Sequence, residues 1–450
     1  MNQGRPLRRH RLSVAICALL GGSAGAANFD YQATLGAGYS DNIGRATQDE
    51  TSSGILAPGL QFSFDQASRR LQADLVGNFA YYKYLDDKFD SELIGNFAGN
   101  ARFSLVPERF EWVVSDNFGQ VLNDPFLPAT PENRENINYF MTGPDAIVPF
   151  SQTTRLRAGA RYGLTTYEHQ SFDSNNVMGQ LALEHQLSAF STVSLNGSLQ
   201  QINFDESALN GDYDQTEVFA RYDAQGARTN LSVDAGYTAL NQDATDTTHN
   251  GALFRLSVSR RLSASSTISL SGGHEFSSSG GAFAAGQLGM PTNIGAVPGR
   301  QTIQPFMYDH ARLGYAFQRE RTGFSLSAFW DDRNFKDQSG FDQTLTGLSA
   351  AVTRQLTPRT SLTIDGNYGR GSFEQQGDYT DFIGGISVNW RLSQRVTLAL
   401  SYDHFDRSSD RPAGGYTENR YWLTIGYGRG APRRTLLPPR FGVDAAQPET

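Results

Sequence analysis

Apolar and polar residues alternate with a period of two along most of the chain. The alternation is clear at 93–105, 324–330, 362–368 and 396–403, and it continues from about Phe29 to Tyr427. Successive side chains of a β-strand point to opposite faces, so this pattern predicts strands throughout and no helix. The alternating segments run for about 9–13 residues, the length that a tilted membrane strand needs. Strands of soluble β-sandwiches are usually shorter, about 5–6 residues.

Two kinds of connection separate the predicted strands, and they alternate along the chain. The short kind includes "DQASR" from Asp65, "VPER" from Val106 and a phrase that occurs four times, one copy being "RLSASSTISLSGG" from Arg261. The leucines of this phrase are Leu187, Leu262, Leu356 and Leu392. The long kind is rich in Asp, Asn, Gly and Pro and includes 122–136, 241–250 and 279–305. Tight periplasmic turns that alternate with long extracellular loops are typical of an outer-membrane barrel.

These patterns predict an all-β fold, a transmembrane antiparallel up-and-down β-barrel of about 18–20 strands in the outer membrane of a Gram-negative bacterium. The count stays open because the alternation is blurred from Phe110 to Val148. The alternative is one or more secreted β-sandwiches. Aromatic residues near strand ends favour the barrel, because membrane barrels carry aromatic girdles at both interfaces. These residues are Tyr81, Tyr82, Tyr84, Phe276, Trp330, Trp390, Tyr402 and Tyr427.

The two ends of the chain differ from the rest. Residues 1–26 contain a basic start, an apolar run at Val14–Leu20 and small residues up to Ala26, which together predict a signal peptide. We expect the barrel at 27–428 and a Pro- and Arg-rich periplasmic tail at 429–450. Cleavage after Ala26 removes Cys17, the one cysteine, and four of the 38 basic residues, which leaves 34 basic against 46 acidic residues. The mature net charge of −12 argues against nucleic acid as a partner.

Motifs for catalysis or metal binding are not found in the sequence. His169 and His185 form the closest histidine pair and lack metal-ligand spacing. The mature chain contains no G-x-S-x-G elbow and no P-loop. The acidic runs at Asp86 and Asp331 are better interpreted as solvated loops than as Ca²⁺ sites. We therefore expect no enzyme activity, no cofactor and no metal.

The alternation also predicts which side chains line the lumen. The inward basic residues are Arg102, Arg157, Arg161, Arg221, Arg255 and Arg312, and the inward acids are Asp74, Asp331, Asp365 and Asp403. Either a basic wall faces an acidic wall, or these charges pair with each other in a polar lumen. Trp422 faces inward on the last strand, as a stacking platform for a sugar or as a space-filling group beside a plug. The loops 122–136 and 279–305 are candidates to fold inward.

Two stretches resemble a known family. They are "LGAGYSDNIGRA" from Leu35 and "NINYFMTGPDAIVPFSQTTRLRAGARYG" from Asn136, which contains Thr142-Gly143-Pro144. Together with the serial "RLS" and "QLT" turns, they resemble the β-barrel porin 2 family of Gram-negative outer-membrane proteins, over essentially the whole mature chain. Relatives in that family are encoded with exopolysaccharide biosynthesis systems. The resemblance implies a barrel and a link to exopolysaccharide, and it assigns chemistry to no residue.

The expected function is a porin-like conduit for export of an exopolysaccharide. A passive diffusion porin for small solutes is one alternative, and a structural or adhesive barrel with a plugged pore is another. Outer-membrane lipid and lipopolysaccharide are expected partners. The tail at 429–450 departs from barrels that end on the aromatic residue of their last strand. We interpret it as a flexible overhang or a docking segment for polysaccharide export components in the periplasm.

Overall fold

Twenty antiparallel strands form one closed sheet in which each strand pairs with the next and β1 pairs with β20. The computed structural model describes residues 27–86, 88–206, 211–243, 246–287, 299–336, 339–374, 377–411 and 414–429. The expected signal peptide and the tail beyond Arg429 lie outside these ranges. The closed up-and-down barrel confirms the fold class, and the blurred region contains two strands, Phe110–Leu122 and Arg134–Pro149.

The strands are β1 Asn28–Ser40, β2 Ser53–Ala67, β3 Leu71–Tyr84, β4 Glu92–Val106, β5 Phe110–Leu122, β6 Arg134–Pro149, β7 Thr154–Tyr167, β8 Ser174–Ser188, β9 Ser191–Phe204, β10 Tyr213–Gln225, β11 Thr229–Gln242, β12 Thr247–Ser263, β13 Ser266–Ser277, β14 Phe306–Arg319, β15 Thr322–Asn334, β16 Gln343–Thr357, β17 Thr360–Phe373, β18 Gly377–Arg391, β19 Val396–Ser409 and β20 Tyr416–Arg429. The α-helix α1, Ser279–Gln287, lies between β13 and β14, and short 3₁₀ turns occupy Pro131–Asn133 and Ser339–Phe341. Among the described residues, no helix has the length and apolar character needed to cross a bilayer.

The outer face of the barrel is apolar and carries aromatic residues at two levels. Exposed aromatic residues near the long-loop end are Tyr39, Tyr81, Tyr162, Tyr237, Trp330, Tyr368 and Phe382, and near the short-turn end they are Phe29, Phe150, Phe190 and Tyr427. Leucines and valines fill the band between them. A closed barrel satisfies every strand edge, and this exterior matches a lipid bilayer. The chain is therefore an outer-membrane β-barrel. Three expected girdle residues are wrong, because Tyr84 and Phe276 are buried inside and Tyr82 packs in the interior beside Tyr84.

The recurring phrase lies at the short-turn end. Leu187, Leu262 and Leu356 are among the last residues of β8, β12 and β16, and Leu392 directly follows β18. All four leucines are exposed on the outer face. The interpretation of the phrase as a tight turn followed by a new strand is confirmed. By the usual rule for bacterial barrels, this end is periplasmic and the long-loop end is extracellular.

The family-like motif Thr142-Gly143-Pro144 interrupts the pairing of β6 with β7. The ladder passes from Thr142↔Tyr162 to Asp145↔Gly159 and skips the two residues between. Proline has no N–H to donate, and a Cβ at Gly143 would lie 1.9 Å from the Ala160 carbonyl oxygen. The interruption therefore requires glycine at 143. Arg161 donates hydrogen bonds of 3.0 Å to the carbonyls of Pro144 and Ala160, and so supports the backbone there.

Deletion of 431–450 should leave a folded barrel. The last strand pairs with β1 up to Arg429↔Tyr31, so ten residue pairs within the described part of the chain close the sheet. The expected result is normal heat-modifiable migration of the truncated protein from outer-membrane fractions. Loss of insertion would show that the assembly signal lies in the tail and not at Tyr427.

Candidate functional site

The lumen differs at its two ends. Inward-facing residues at the long-loop end are almost fully buried around the circumference, among them Ser40, Ile55, Val121, Ile137, Tyr213, Leu240, Phe306, Leu345 and Glu418. Inward-facing residues toward the short turns keep partial exposure to the lumen. Side chains on a barrel wall become buried only when something covers them from inside. The outer end of the lumen is therefore filled, and the periplasmic end is accessible.

Residues 123–133, which we call the crossing loop, provide part of this filling. The loop leaves β5 and returns to β6, but its Phe126 packs on the opposite wall against Leu345, Phe373 and Tyr379 of β16–β18. The ring centroids of Phe126 and Phe373 are 4.5 Å apart. The crossing loop thus spans the lumen, which confirms that the loop at 122–136 folds inward.

Polar contacts fasten the crossing loop at both sides of Phe126. Arg407 of β19 donates a hydrogen bond to the Pro125 carbonyl, and Arg45 donates one of 3.0 Å to the Ala129 carbonyl. Arg411 and Asp124 form an ion pair of 3.6 Å. These are contacts of side chains with a loop, and the strand ladder does not include them. Displacement of the crossing loop would therefore break none of the strand pairings.

Arg45 is itself held by a buried ion pair. Its Nε lies 2.9 Å from Oε2 of Glu418, which is fully buried. Burial alone would lower the pKa of Arg45, but the interactions with Tyr416 and the Glu418 carboxylate outweigh that effect and raise this pKa above its ordinary value. Arg45 therefore stays charged throughout the physiological pH range.

A second segment, 278–287 and 299–305, fills another part of the outer lumen. It contains α1, whose Phe283 packs against Val121, Ile137 and Tyr167 of β5–β7. Ser279 and Thr302 exchange hydrogen bonds of 2.9 and 3.0 Å and so tie the two ends of the segment together. Phe276 and Met307 are buried in a cluster with Tyr213 and Leu240. The expectation that the loop at 279–305 folds inward is confirmed for its described part.

A cavity of about 1260 Å³ occupies the periplasmic side of the lumen along β3–β14. It extends from Arg69 and Arg70 in a short turn to Ser278 and Gly281 at the start of α1. Five of the six predicted arginines line it, namely Arg102, Arg157, Arg161, Arg221 and Arg255. Arg312 is outside this lining and is buried, with Nη2 at 3.2 Å from Asp331 and 3.1 Å from the Tyr308 hydroxyl.

The arginines of β4–β7 form one ion-pair network. Arg157 lies 3.2 Å from carboxylate oxygens of Glu111, Asp145 and Glu184. Arg161 lies 2.7 Å from Asp145, and Arg102 lies 3.9 Å from Glu111. Because each arginine has an acid on its own or a neighbouring strand, this part of the wall is a mixed surface and not a basic one.

A second network joins β10–β13. Arg221 lies 2.7 Å from Asp234, and Arg255 lies 2.8 Å from Glu217 and 2.5 Å from Glu275. Together the two networks support the second of the arrangements open at the sequence level, in which the charges pair. The partners Glu111, Asp145, Glu184, Glu217, Asp234 and Glu275 were missed, although the same alternation places them on the inner face.

The remaining predicted residues lie outside the cavity lining. Asp74 faces Asp65 across the β2–β3 ladder, and Asp365 and Asp403 flank Gly385 from both sides. Trp422 faces inward and packs against Tyr82, with ring centroids 5.4 Å apart, and against the cluster of Ile43, Ile55 and Tyr84. Its ring leaves no room for a side chain at Gly38, where a Cβ would lie 2.7 Å away. Trp422 thus borders the filled end of the lumen.

The wall opposite the cavity is polar and made of small side chains. Inward-facing members on β15–β19 are Ser325, Ser327, Ser349, Thr353, Thr363, Asn367, Ser387, Asn389 and Ser401. In the described ranges, no group of three or more histidine or acidic side chains is placed to hold a metal ion. The lumen therefore offers hydroxyls, amides and the carboxylates of Asp365 and Asp403 on one side and paired charges on the other.

Replacing Arg157, Arg161 and Arg221 together by glutamine should shift ion selectivity toward cations. The change leaves Asp145, Glu184 and Asp234 without their nearest positive partners, so the lumen becomes negative. The expected increase in cation preference is about twofold or more, read from the reversal potential of the openings in a KCl gradient, with Phe126→Ala present in every compared variant to release the crossing loop. Arg354→Gln, on the outer face, is the control. An unchanged reversal potential in the triple variant would contradict an open pore lined by these residues.

Comparisons with known proteins find only a distant likeness. No family model matches the chain, and no curated protein matches it. Among solved structures, a mutant of the ferric enterobactin receptor PfeA from Pseudomonas aeruginosa matches at 10% identity and TM-score 0.44, covering 90% of this chain and 81% of that one. The FrpB iron transporter from Neisseria meningitidis matches at 8% identity and TM-score 0.45, over 89% and 82% of the two chains. The copper transporter OprC matches at 10% identity and TM-score 0.42, over 90% and 81%. Likeness at this level indicates no shared ligand.

Proposed function

We propose that this outer-membrane barrel is a conduit that exports an exopolysaccharide, loaded from the periplasm and released by displacement of the crossing loop. The observation that carries the proposal is the asymmetry of the lumen. A polar cavity of about 1260 Å³ is accessible from the short-turn end, while Phe126 and its neighbours fill the long-loop end. Cargo that arrives from the periplasm would find an accessible site, whereas solutes outside would meet packed side chains.

The polysaccharide as cargo is supported by two features. The first is the resemblance of the sequence to the β-barrel porin 2 family. The second is the wall of serine, threonine and asparagine on β15–β19, because small hydroxyl and amide groups form many weak, exchangeable hydrogen bonds with a sugar chain. A polymer must slide, and such a wall binds without fixing any one position.

One other function is favoured by a specific observation. The packing of Phe126 and Phe283 in the outer lumen also suits a structural or adhesive barrel that never opens. That function predicts no conductance under any condition and surface binding that depends on the long loops. A diffusion porin predicts steady conductance, which the filled mouth does not favour.

Removal of the gene tests the proposal. In a strain that lacks the protein, secreted polysaccharide should fall and polymer should accumulate in the periplasm or the cell, and a plasmid copy should restore secretion. Unchanged secreted and surface polymer would overturn export as the function. Conductance of the purified barrel in planar bilayers would then separate a diffusion porin from a permanently plugged barrel.

A further inference from the structure

Exposed arginines surround the short-turn end of the barrel, and we call them the arginine collar. Its members are Arg69, Arg70, Arg109, Arg155, Arg228, Arg260, Arg261, Arg319, Arg321, Arg354, Arg359, Arg391, Arg395 and Arg429. The short turns themselves contain Glu108 and Glu320 as their only acids. The chain as a whole is acidic, with a net charge of −8, so this concentration of positive charge is local.

The opposite end of the barrel has the opposite charge. The long loops carry exposed acids, namely Asp49, Glu50, Asp86, Asp90, Glu132, Glu168, Asp205, Glu206, Asp243 and Asp246. Exposed basic residues at this end are fewer, namely Lys83, Lys88, Lys336 and Arg370 among the described residues. The field of the molecule therefore attracts anions at the periplasmic mouth and repels them at the outer mouth.

The collar arginines hold few carboxylates of their own. Arg155 forms an ion pair with Glu184, and no other collar arginine lies within ion-pair distance of an acid in the part of the chain that the structure describes. This differs from the lumen, where Arg157 and Arg255 are each surrounded by acids. Apart from Arg155, which shares Glu184 with Arg157, the collar guanidinium groups are thus available to an anion from outside the chain.

The collar has two sides. Arg69, Arg70 and Arg155, the mouth group, line the same cavity as Arg102 and Arg157 deeper in the lumen. Arg260, Arg319 and Arg354, the lipid-side group, occupy outward positions of β12, β14 and β16, in register with the lipid-facing leucines. The mouth group is therefore placed where a polymer would enter, and the lipid-side group is placed at the bilayer surface.

We propose that the mouth group captures an anionic polysaccharide as it enters the lumen, so that the exported polymer carries carboxylates. The inference rests on the proposed export function and specifies its substrate class. Guanidinium groups bind carboxylates in a bidentate manner, and three of them at one rim suit a chain that repeats its charge. The ion-pair networks above then offer the polymer carboxylates a series of arginines whose existing acid partners keep any one contact exchangeable.

Polymer binding to the full-length barrel in zwitterionic nanodiscs tests the inference. Polygalacturonate is the anionic probe and dextran is the uncharged one. The wild-type barrel should bind polygalacturonate, and its affinity should fall as added salt screens the charges. It should show no comparable binding of dextran. The triple variant Arg69→Gln, Arg70→Gln and Arg155→Gln should bind at least about tenfold more weakly. The lipid-side triple variant Arg260→Gln, Arg319→Gln and Arg354→Gln removes the same charge and should bind like wild type.

Other results would overturn the inference. Equal binding by the mouth variant, equal binding of dextran, or equal loss in both triple variants would each exclude a site at the mouth group. Loss of association with phosphatidylglycerol vesicles in the mouth variant, with polygalacturonate binding intact, would assign the arginines to lipid. The export function has a separate readout. If the gene-deleted strain retains polymer but the purified barrel does not bind polygalacturonate, the anionic substrate is rejected and the export function stands. If the barrel binds polygalacturonate but the gene-deleted strain retains no polymer, the export function is rejected.

Discussion

Phe126→Ala should raise the open probability of the purified barrel in planar bilayers at least tenfold. Phe126 is 1% exposed and is the main apolar anchor of the crossing loop on the opposite wall. Truncation of a buried phenylalanine to alanine costs about 3–5 kcal/mol, and each 1.4 kcal/mol changes an equilibrium about tenfold. The polar fastenings at Pro125 and Ala129 remain, so the loop is released only part of the time and brief openings should replace a closed record.

Leu127→Ala is the matched control for this experiment. Leu127 is the next residue of the crossing loop, but 38% of it is exposed, so its removal should leave conductance as in wild type. Equal records for wild type, Phe126→Ala and Leu127→Ala would mean that the crossing loop does not limit the pore. The second segment, 278–287 and 299–305, would then be the next region to alter.

Glu418→Ala should destabilise the barrel by about 3–5 kcal/mol. Glu418 is fully buried and accepts hydrogen bonds of 2.6 Å from Ser40, 2.9 Å from Arg45 and 2.6 Å from Arg420. The alanine variant takes the carboxylate from the buried guanidinium of Arg45 and the partly buried one of Arg420, at the seam where β20 closes on β1. The free energy of unfolding in urea should fall accordingly, and unfolding on heating in detergent should begin at a lower temperature.

Two control variants accompany this experiment. Glu418→Gln keeps the shape and the hydrogen-bond acceptor and should lose less stability than Glu418→Ala. Glu374→Ala removes an exposed glutamate from another long loop and should leave unfolding unchanged. An unfolding midpoint for Glu418→Ala equal to that of Glu374→Ala would show that water reaches this ion pair. It would contradict a tightly filled outer end of the lumen.

The barrel itself could be predicted from the sequence because one face of every strand meets lipid. Lipid imposes strict alternation, and the four exposed turn leucines mark the strand boundaries on the periplasmic side. The prediction failed to fix the strand count where this rule is relaxed. On β5 and β6, Asp116 and Asn138 occupy outward positions and Pro144 interrupts the ladder. Polar residues on the lipid face and a missing N–H remove the signals that the count relied on.

The interior was harder to predict, because alternation gives the face of a residue and not its neighbours across strands. The inward arginines were identifiable, but the acids that neutralise them come from adjacent strands in a register that the sequence alone does not give. The contact of Phe126 with Leu345 and Phe373 joins residues more than two hundred positions apart. No local pattern indicates such a contact, whereas the length and the prolines of the loop at 122–136 made it a candidate to fold inward as a constriction.

Export through the lumen requires the crossing loop to move, and a reversible crosslink tests this most directly. Asp124 and Arg411, 3.6 Å apart at their charged ends and both partly exposed, would be replaced by cysteines in a chain whose one native cysteine is Cys17. A short thiol-cleavable crosslinker should reduce secreted polysaccharide to the level of the gene-deleted strain, and reductant should restore it, while single-cysteine variants stay unaffected. Secretion that continues unchanged in the crosslinked barrel would contradict a route that opens by movement of this loop.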